Sequence, residues 1–212
     1  GGGGPGCGGR AGGAMGGVAY ARGGKVNDVV LGLWGGGLRS LLTSRGEPVA
    51  GIEPTTSVMF STRSAADSTI NNQVGTIVLP LPIGEEDVGR RLDLIVAKTS
   101  EVKNRQRSAA IMGALVGIAA SPVGRYFLIH QRATNTLTTN VIGPPLPLYV
   151  AGAPVLDILP VMNLTGNIGL DLCAFSYTGR LYLAVTADAT AFPDLDVLIE
   201  GMERDWHALA GN

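Results

Sequence analysis

Charged residues are scarce in this sequence. Asp, Glu, Lys and Arg make up 16% of the 212 residues, whereas a typical soluble domain has roughly 25%. The formal net charge is −1, so there is no strong field of one sign to attract nucleic acid. The composition therefore predicts no nucleic-acid partner, and a hydrophobic content of 45% is typical of a globular domain.

Cysteine and histidine are nearly absent, with two residues of each. Cys7 lies in a glycine-rich head and Cys173 in an apolar run, so neither a disulfide framework nor a cysteine-ligated metal site is expected. A reducing, cytoplasmic compartment fits this best. His130 and His207 have no nucleophile or metal-ligand cluster beside them in sequence, and isolated histidines are usually structural or solvated.

Long uncharged runs are few. The 17 residues 108–124 fall short of the ~20 apolar residues of a membrane span, and they predict a buried or interfacial helix. Residues 133–156 contain several prolines and threonines, which a lipid-exposed helix does not tolerate. The first residues of the sequence do not have the pattern of a signal peptide, so none is expected here. The chain is therefore expected to be soluble or peripheral.

Glycine is abundant, and 13 of the 32 glycines lie in residues 1–24. Such a head cannot bury apolar surface, so the sequence predicts a disordered tail over 1–24. Residues 25–212 are long enough to form one domain with a substantial core. Because the chain begins at Gly1 rather than at Met, we expect it to be a fragment.

Hydrophobic periodicity predicts a mixture of helices and strands in one α/β domain. Gly35, Gly36 and Gly37 lower the propensity of the first helix, and they would let another backbone approach closely. Thr178-Gly179 predicts a two-residue β-hairpin turn. The predicted helices are 27–44, 85–105, 108–120 and one beginning at Pro193, and the predicted strands are 56–62, 73–81, 137–142, 155–162, 168–177 and 180–186.

Basic residues recur from Arg90-Arg91 to Arg107. A solvated helix face is the simpler interpretation of this stretch. Contact with phosphates of a ligand or lipid headgroup is the alternative.

Several strings, in order along the chain, carry a family resemblance. Lys25-Val-Asn-Asp-Val-Val-Leu31 resembles the Asn-Asp motif of the bacterial wax ester synthase/acyl-CoA:diacylglycerol acyltransferase family. Thr139-Asn-Val-Ile-Gly-Pro-Pro145 resembles its Asn-Val-x-Gly-Pro segment, and 164–170, 176–181, 186–188 and 193–196 continue the match. One departure lies at 59–63, where Ser61 and Arg63 remain but the usual Pro-Val does not.

The resemblance implies one half of a chloramphenicol acetyltransferase-like, CoA-dependent acyltransferase fold, in which a mixed sheet has flanking helices. In this family two such halves enclose a channel for acyl-CoA and the acyl acceptor. A His-His-x-x-x-Asp-Gly motif in the N-terminal half supplies the general base. The present sequence has no adjacent pair of histidines. It therefore resembles the C-terminal half alone, with no catalytic residue, metal or cofactor of its own.

The resemblance also implies candidate residues that support the channel or active site: Asn27 and Asp28, Thr139 and Asn140, and Gly166 and Asn167. Each pair has a purely structural alternative. Asn27 could cap a helix whose dipole Asp28 favours. Thr139-Asn140 and Gly166-Asn167 could satisfy backbone groups in turns.

Two functions remain open at this point. The first is the C-terminal domain of an O-acyltransferase that transfers a fatty acyl group from acyl-CoA to diacylglycerol or a long-chain alcohol, with the missing N-terminal catalytic half as a partner. The second is a non-catalytic module that retains the fold and binds a lipid or a partner. Either is expected to be cytoplasmic or peripheral, at the inner face of the plasma membrane or on lipid droplets.

Overall fold

The computed structural model of the chain describes residues 11–61, 74–105, 126, 129–164 and 166–211. The predicted helix over 108–120 and Cys7 lie outside these residues. The described chain forms four longer helices, seven strands and their connections. The helices are α1 (Ala11–Ala21), α2 (Val26–Ser44), α3 (Val88–Arg105) and α4 (Leu195–Ala210), and the strands are β1 (Thr55–Ser61), β2 (Val74–Pro80), β3 (Thr136–Ile142), β4 (Tyr149–Val150), β5 (Ala153–Pro154), β6 (Leu170–Tyr177) and β7 (Arg180–Ala187).

Five strands form one mixed sheet in the order β2-β1-β3-β6-β7. The outer pairs are antiparallel, whereas β3 runs parallel to both β1 and β6. β4 and β5 form a separate small hairpin. The predicted α/β class with a mixed sheet is therefore confirmed.

One hydrophobic core joins the helices to one face of this sheet. Residues of α2, α3 and α4 pack in it with alternate residues of the strands, among them Val58, Leu172 and Ala174. Trp34 of α2 is fully buried, and its indole Nε1–H donates to Oγ1 of Thr136 at 3.1 Å. A buried indole needs such an acceptor, so this bond fixes α2 over β3.

Two glycines of the run Gly35–Gly37 in α2, Gly36 and Gly37, allow the close helix packing that the sequence predicts. A Cβ at Gly37 would lie 2.8 Å from the carbonyl oxygen of Leu198 and 2.8 Å from Cγ of Met202, both on α4. A Cβ at Gly36 would collide with Asp205 of α4. α4 therefore packs directly on the glycine surface of α2, and this packing offsets the low helix propensity of the glycines.

The glycine-rich head is partly structured, so the predicted disorder of residues 1–24 is wrong for α1. Met15 and Ala19 of α1 are buried in the common core. The backbone N–H of Gly24 donates to the carbonyl oxygen of Ala19 and closes the helix end. Two apolar side chains one turn apart give even a glycine-rich helix a face to bury. Residues 1–10 lie outside the described part of the chain.

Most predicted elements are confirmed, with shifts at their ends. Thr178 and Gly179 both have positive φ, 46° and 79°, as a tight hairpin turn requires. The predicted strand 155–162 is wrong, because strand pairing ends at Pro154 and no ladder is formed over 155–162. α4 begins at Leu195, so Pro193 lies two residues before the helix rather than at its first position.

The basic stretch on α3 is not a uniformly solvated face. Arg91 is fully buried, and its guanidinium forms an ion pair with Asp205 of α4. The same side chain donates to the carbonyl oxygen of Glu85 at 2.8 Å. Lys98 is more exposed and pairs with Glu53 at 2.6 Å. Arg91 therefore holds α3 against α4, and it is not available to a phosphate group.

Candidate functional site

Asp28 is buried near the start of α2, and both of its carboxylate oxygens are occupied. Oδ2 accepts from the backbone N–H of Lys25 at 2.7 Å, and Oδ1 accepts from the hydroxyl of Thr99 at 2.9 Å. Thr99 is itself buried on α3. Asp28 thus closes the first turn of its own helix and ties α2 to α3, and its negative charge lies where the helix dipole favours it.

Asn27 does not cap the helix. α2 begins at Val26 and the capping position belongs to Lys25, so the expected capping role of Asn27 is wrong. Its side-chain oxygen is buried and has no hydrogen-bond partner. An unsatisfied buried polar group costs about 1–3 kcal/mol. The side-chain oxygen of Asn27 is therefore a hydrogen-bond acceptor that receives no hydrogen bond within the described fold.

Thr139 and Asn140 lie within β3 rather than in a turn, because the strand continues to Ile142. Adjacent strand residues point to opposite faces. Asn140 pairs with Ala174, which belongs to the helix-covered face, whereas Thr139 pairs with Cys173 on the other face. The two side chains therefore do not form one polar site, and the turn interpretation is wrong for this pair.

Gly166 and Asn167 form a turn before β6, as the structural alternative predicted. Gly166 has φ of 65°. Nδ2 of Asn167 donates to the carbonyl oxygen of Gln131 at 2.7 Å, and Nε2 of Gln131 donates back to Oδ1 of Asn167 at 2.9 Å. Asn167 therefore joins the two loops that lead into β3 and β6. The three predicted pairs occupy three separate places in the fold.

Neither histidine belongs to a catalytic constellation among the described residues. His130 is exposed, its ring stacks on Tyr126 with centroids 4.2 Å apart, and its Nδ1 lies 2.8 Å from the carbonyl oxygen of Tyr126. His207 is exposed on α4. Within the described residues, no group of three or more His, Cys, Asp or Glu side chains could hold a metal ion.

Asp171 is a buried carboxylate that sequence reasoning did not select. It lies on β6, is fully buried, and neither side-chain oxygen has a hydrogen-bond partner. Burial raises the pKa of its carboxyl from the ordinary 3.8 to about 6. Burial also raises the pKa of the Cys173 thiol on the same face. A raised pKa keeps the thiol protonated, so Cys173 is a poor nucleophile. In the sequence, the buried carboxylate of Asp171 could have been recognised because it is the only charged residue in the apolar run 168–174.

The Ser176-Tyr177-Thr178-Gly179 motif holds an unusual apolar segment, residues 142–161, which we call the apolar arm. The hydroxyl of Tyr177 accepts from the backbone N–H of Leu148 at 2.8 Å and donates to the carbonyl oxygen of Val155 at 2.8 Å. Tyr177 itself is buried. Eight large apolar side chains of the arm are nevertheless exposed: Ile142, Leu146, Leu148, Tyr149, Val150, Leu156, Leu159 and Val161.

None of the helices in the described ranges has the length and apolarity that crossing a bilayer requires.

Solved structures share this fold. A wax ester synthase/diacylglycerol acyltransferase from Marinobacter aquaeolei VT8 superimposes over 94% of this chain and 47% of its own, with a TM-score of 0.71 and 22% identity. The first condensation domain of the calcium-dependent antibiotic synthetase matches 96% of this chain and 43% of its own, with a TM-score of 0.53 and 17% identity. The chain thus has the fold of somewhat less than half of each of these two proteins.

The sequence then assigns the family. Residues 70–210 match the WS/DGAT C-terminal domain, and the chain belongs to that family. A Mycobacterium tuberculosis relative, named as the probable diacylglycerol O-acyltransferase tgs1, is 31% identical over 186 residues. That match covers 84% of this chain and 40% of the relative. The chain therefore spans well under half the length of this curated relative.

Proposed function

We propose that this chain is the C-terminal half of an O-acyltransferase that moves a fatty acyl group from acyl-CoA to the hydroxyl of diacylglycerol or a long-chain alcohol. The match of residues 70–210 to the WS/DGAT C-terminal domain is the observation that carries the proposal. The names of the tuberculosis and Marinobacter proteins support the same reaction class.

In this proposal the chain provides no general base. A histidine of the N-terminal half takes the proton of the acceptor hydroxyl while the hydroxyl oxygen attacks the thioester carbon. The carbon–sulfur bond then breaks, and the CoA sulfur receives the proton as the ester forms. The isolated positions of His130 and His207 fit this division of labour, since both are exposed.

We assign the Asn27-Asp28 pair a supporting role in the channel wall. Asp28 is held from two sides, by Lys25 of its own helix and by Thr99 of α3. This rigid carboxylate fixes the first turn of α2 and with it Asn27, whose buried side-chain oxygen is free to accept a hydrogen bond. A donor from the N-terminal half or from a substrate would satisfy that oxygen.

Thr139, Asn140, Gly166 and Asn167 support this proposal less directly. Thr139 is buried on the sheet face that carries Cys173. Asn167 has its hydrogen bonds with Gln131 within the fold. We propose that these residues shape the wall of the channel through the sheet and its loops, without contact to the reacting atoms.

The proposed location of the enzyme follows from the nature of the acyl acceptor. Diacylglycerol and long-chain alcohols are held in lipid, so we propose that the assembled enzyme works at a membrane surface or at a lipid droplet. A non-catalytic module with the same fold is the second candidate. The exposed apolar arm favours it, because an inert domain could use such a segment to bind a partner or lipid.

A chimera separates these candidates. The 186 matched residues of the tuberculosis relative are replaced by the corresponding residues of this chain, and transfer from radiolabelled acyl-CoA to diacylglycerol is measured. We expect turnover from the chimera and none from the present chain alone. A folded chimera without turnover, in an assay where the unmodified relative is active, would leave the binding module as the better description.

A further inference from the structure

The five-stranded sheet has an outer face, on the side away from the common core. Leu172 of β6 lies in the core, so its neighbours Asp171 and Cys173 point the other way, because successive side chains of a strand alternate between faces. Strand register places Leu137 of β3 beside Asp171, and Thr139 beside Cys173. We call Leu137, Thr139, Asp171 and Cys173 the outer-face group.

The carboxyl group of Asp171 is the unsatisfied member of the outer-face group. Its side chain is fully buried, and neither Oδ1 nor Oδ2 receives a hydrogen bond within the described fold. Asp28 is also buried, but both of its oxygens are occupied. The large majority of buried polar side-chain atoms in proteins have a partner. The fold therefore satisfies one buried aspartate and leaves the other with two free acceptor atoms.

A structural role does not account for Asp171. Its cross-strand neighbours are Leu137 of β3 and Thr186 of β7, and neither side chain donates a hydrogen bond to it. Burial raises the pKa of its carboxyl, so the folded chain opposes ionisation. A buried carboxyl without a partner destabilises a fold. Buried titratable groups of this kind occur preferentially at functional sites.

Thr139 connects Asp171 to the proposed channel. Thr139 is buried on the outer face, where the proposed function places it in the channel wall. Asp171 comes two residues before Cys173, the register partner of Thr139. Diagonal neighbours on adjacent strands are about 7–8 Å apart. A long substrate that lies along this face past Thr139 therefore also passes the carboxyl group of Asp171.

A buried acceptor selects ligands that carry a hydrogen-bond donor. A site built to bind a hydroxyl or an amide N–H strongly rejects the analogue without it, because the buried polar group then stays unpaired. A fatty acyl chain has no such donor. The substrates of the proposed reaction carry uncharged donors in two places, in the amide groups of the CoA arm and in the hydroxyl groups of the acyl acceptor.

We propose that Asp171 is a substrate-binding residue of the acyltransferase, and that its carboxyl group accepts a hydrogen bond from an uncharged O–H or N–H group of the substrate. This inference rests on the proposed function for the identity of the substrates. The group bound is either the second hydroxyl of a polyhydric acceptor, such as a monoacylglycerol, or an amide N–H of acyl-CoA. In both cases Asp171 determines specificity, since a substrate without the donor leaves the carboxyl unpaired.

Steady-state kinetics of the chimera described above test the proposal. Palmitoyl-CoA supplies the acyl group, and the two acceptors are a long-chain vicinal diol and the simple alcohol of the same length. Asp171→Leu removes both acceptor oxygens at a similar side-chain size, whereas Asp171→Asn keeps one of them. Asp196→Asn, in the exposed first turn of α4, is the control for the loss of an aspartate charge.

Two results support the proposal, and they identify the group that Asp171 binds. If it binds the acceptor, the chimera should use the diol with a kcat/KM about tenfold or more above that of the alcohol, and Asp171→Leu should remove this preference. If it binds the CoA arm, Asp171→Leu should raise the KM for palmitoyl-CoA about tenfold or more with both acceptors. In either case Asp171→Asn should lose less, and Asp196→Asn should match the unmodified chimera.

The proposal is overturned if Asp171→Leu changes neither the acceptor preference nor the KM for palmitoyl-CoA. It is equally overturned if Asp171→Leu melts at a lower temperature and loses activity on every substrate to the same extent. Removal of an unpaired buried carboxyl should not lower the melting temperature, so that result would give Asp171 a structural role.

Binding measurements separate this proposal from the proposed function, because isothermal titration of the chimera with palmitoyl-CoA and with the diol needs no turnover. Suppose that a folded chimera transfers no acyl group but binds either compound about tenfold or more tightly than its Asp171→Leu variant. That result would sink the reaction and keep the binding residue. Turnover that Asp171→Leu leaves unchanged would keep the reaction and sink the binding residue. A folded chimera with neither turnover nor binding would sink both.

Discussion

Arg91 of α3 and Asp205 of α4 form their ion pair against Gly36 of α2, at the point where three helices meet. Nη2 of Arg91 would lie 2.8 Å from a Cβ at Gly36, and the Asp205 carboxylate would lie closer still. Because Gly36 has no side chain, the guanidinium of Arg91 and the carboxylate of Asp205 can form their ion pair between the helices. Removal of Asp205 would leave the buried charge of Arg91 without compensation.

The first prediction concerns the packing of α2. Gly37→Ala should lower the free energy of unfolding by about 1–3 kcal/mol, because the new methyl group meets Leu198 and Met202 of α4. Gly16→Ala in α1 is the control, since no atom lies within 4 Å of the added carbon. Ala favours helix over Gly, so the control should be neutral or stabilising by up to about 1 kcal/mol. Urea denaturation measures both, and equal shifts would refute the packing argument.

The second prediction concerns Asp171 and pH. The pKa of its carboxyl is about 6 in the folded chain and 3.8 when unperturbed. The folded state therefore favours the protonated form, and stability is lost as pH rises from about 4 to 6. The loss should reach about 3 kcal/mol, from about 1.4 kcal/mol per pKa unit.

Asp171→Asn provides the comparison, because it removes the charge and keeps the size. The variant should be more stable than the original chain at pH 7.5, and the difference should shrink towards zero near pH 4. Unfolding free energies of both proteins across this range give the test. A difference that does not change with pH would mean that the carboxyl titrates normally.

The third prediction concerns Asp28 in the chimera. Asp28→Asn should cost about 1 kcal/mol of stability, since the charge at the helix start is lost. If the carboxylate also supports the channel, as proposed, acyl transfer well below the melting temperature should fall at least tenfold, or about 1.4 kcal/mol in the barrier.

Thr99→Val is the companion variant, because it removes the hydrogen bond to Asp28 Oδ1 from the α3 side and keeps the carboxylate itself. It should lower the melting temperature and turnover in the same direction as Asp28→Asn, with a smaller loss of turnover. If both variants lose only stability, Asp28 has a structural role and the site assignment is wrong.

The fourth prediction concerns Asn27. Because Lys25 occupies the capping position, Asn27→Ala should not show the loss of about 1 kcal/mol that removal of a cap causes. It removes a buried, unpaired oxygen, so the isolated chain should be unchanged or slightly more stable. Thermal unfolding measures this, and a clear loss of stability would mean that the side chain has a partner in solution.

The fifth prediction concerns Tyr177. Tyr177→Phe removes the hydroxyl that bridges Leu148 and Val155, so amide exchange at Val155 should become at least tenfold faster. Tyr149→Phe is the control on the arm itself, because the Tyr149 ring is exposed. Unchanged exchange at Val155 in Tyr177→Phe would show that the hydroxyl does not hold the arm.

Local patterns were sufficient to predict most of the fold. The helical spacing of Leu92 and Ile95, both buried, and the Thr178-Gly179 turn are encoded within a few residues. α1 was missed because its stability comes from Met15 and Ala19 in a distant core. The burial of Arg91 was missed because its partner, Asp205, lies on another helix.

The candidate site was less predictable for a related reason. Motif order selected Asn27 and Asp28, but their roles depend on Thr99 of α3 and on the true start of α2. Thr139 and Asn140 are neighbours in sequence, but they lie in β3, where successive side chains point to opposite faces of the sheet. Asp171 became visible only through its burial and its lack of partners.

The sheet order also constrains how the chain folds during synthesis. β1 must pair with β3, and the contact between Thr56 and Thr136 spans 80 residues. β3 comes well after β2 in the chain, and β6 and β7 follow later still. The β1–β2 pair therefore emerges from the ribosome long before β3, the strand that pairs with the other edge of β1, has been made. Contacts this distant in sequence must close large loops before they stabilise anything, which slows folding to milliseconds or longer. During that interval the edge of β1 that β3 will occupy stands open to other chains.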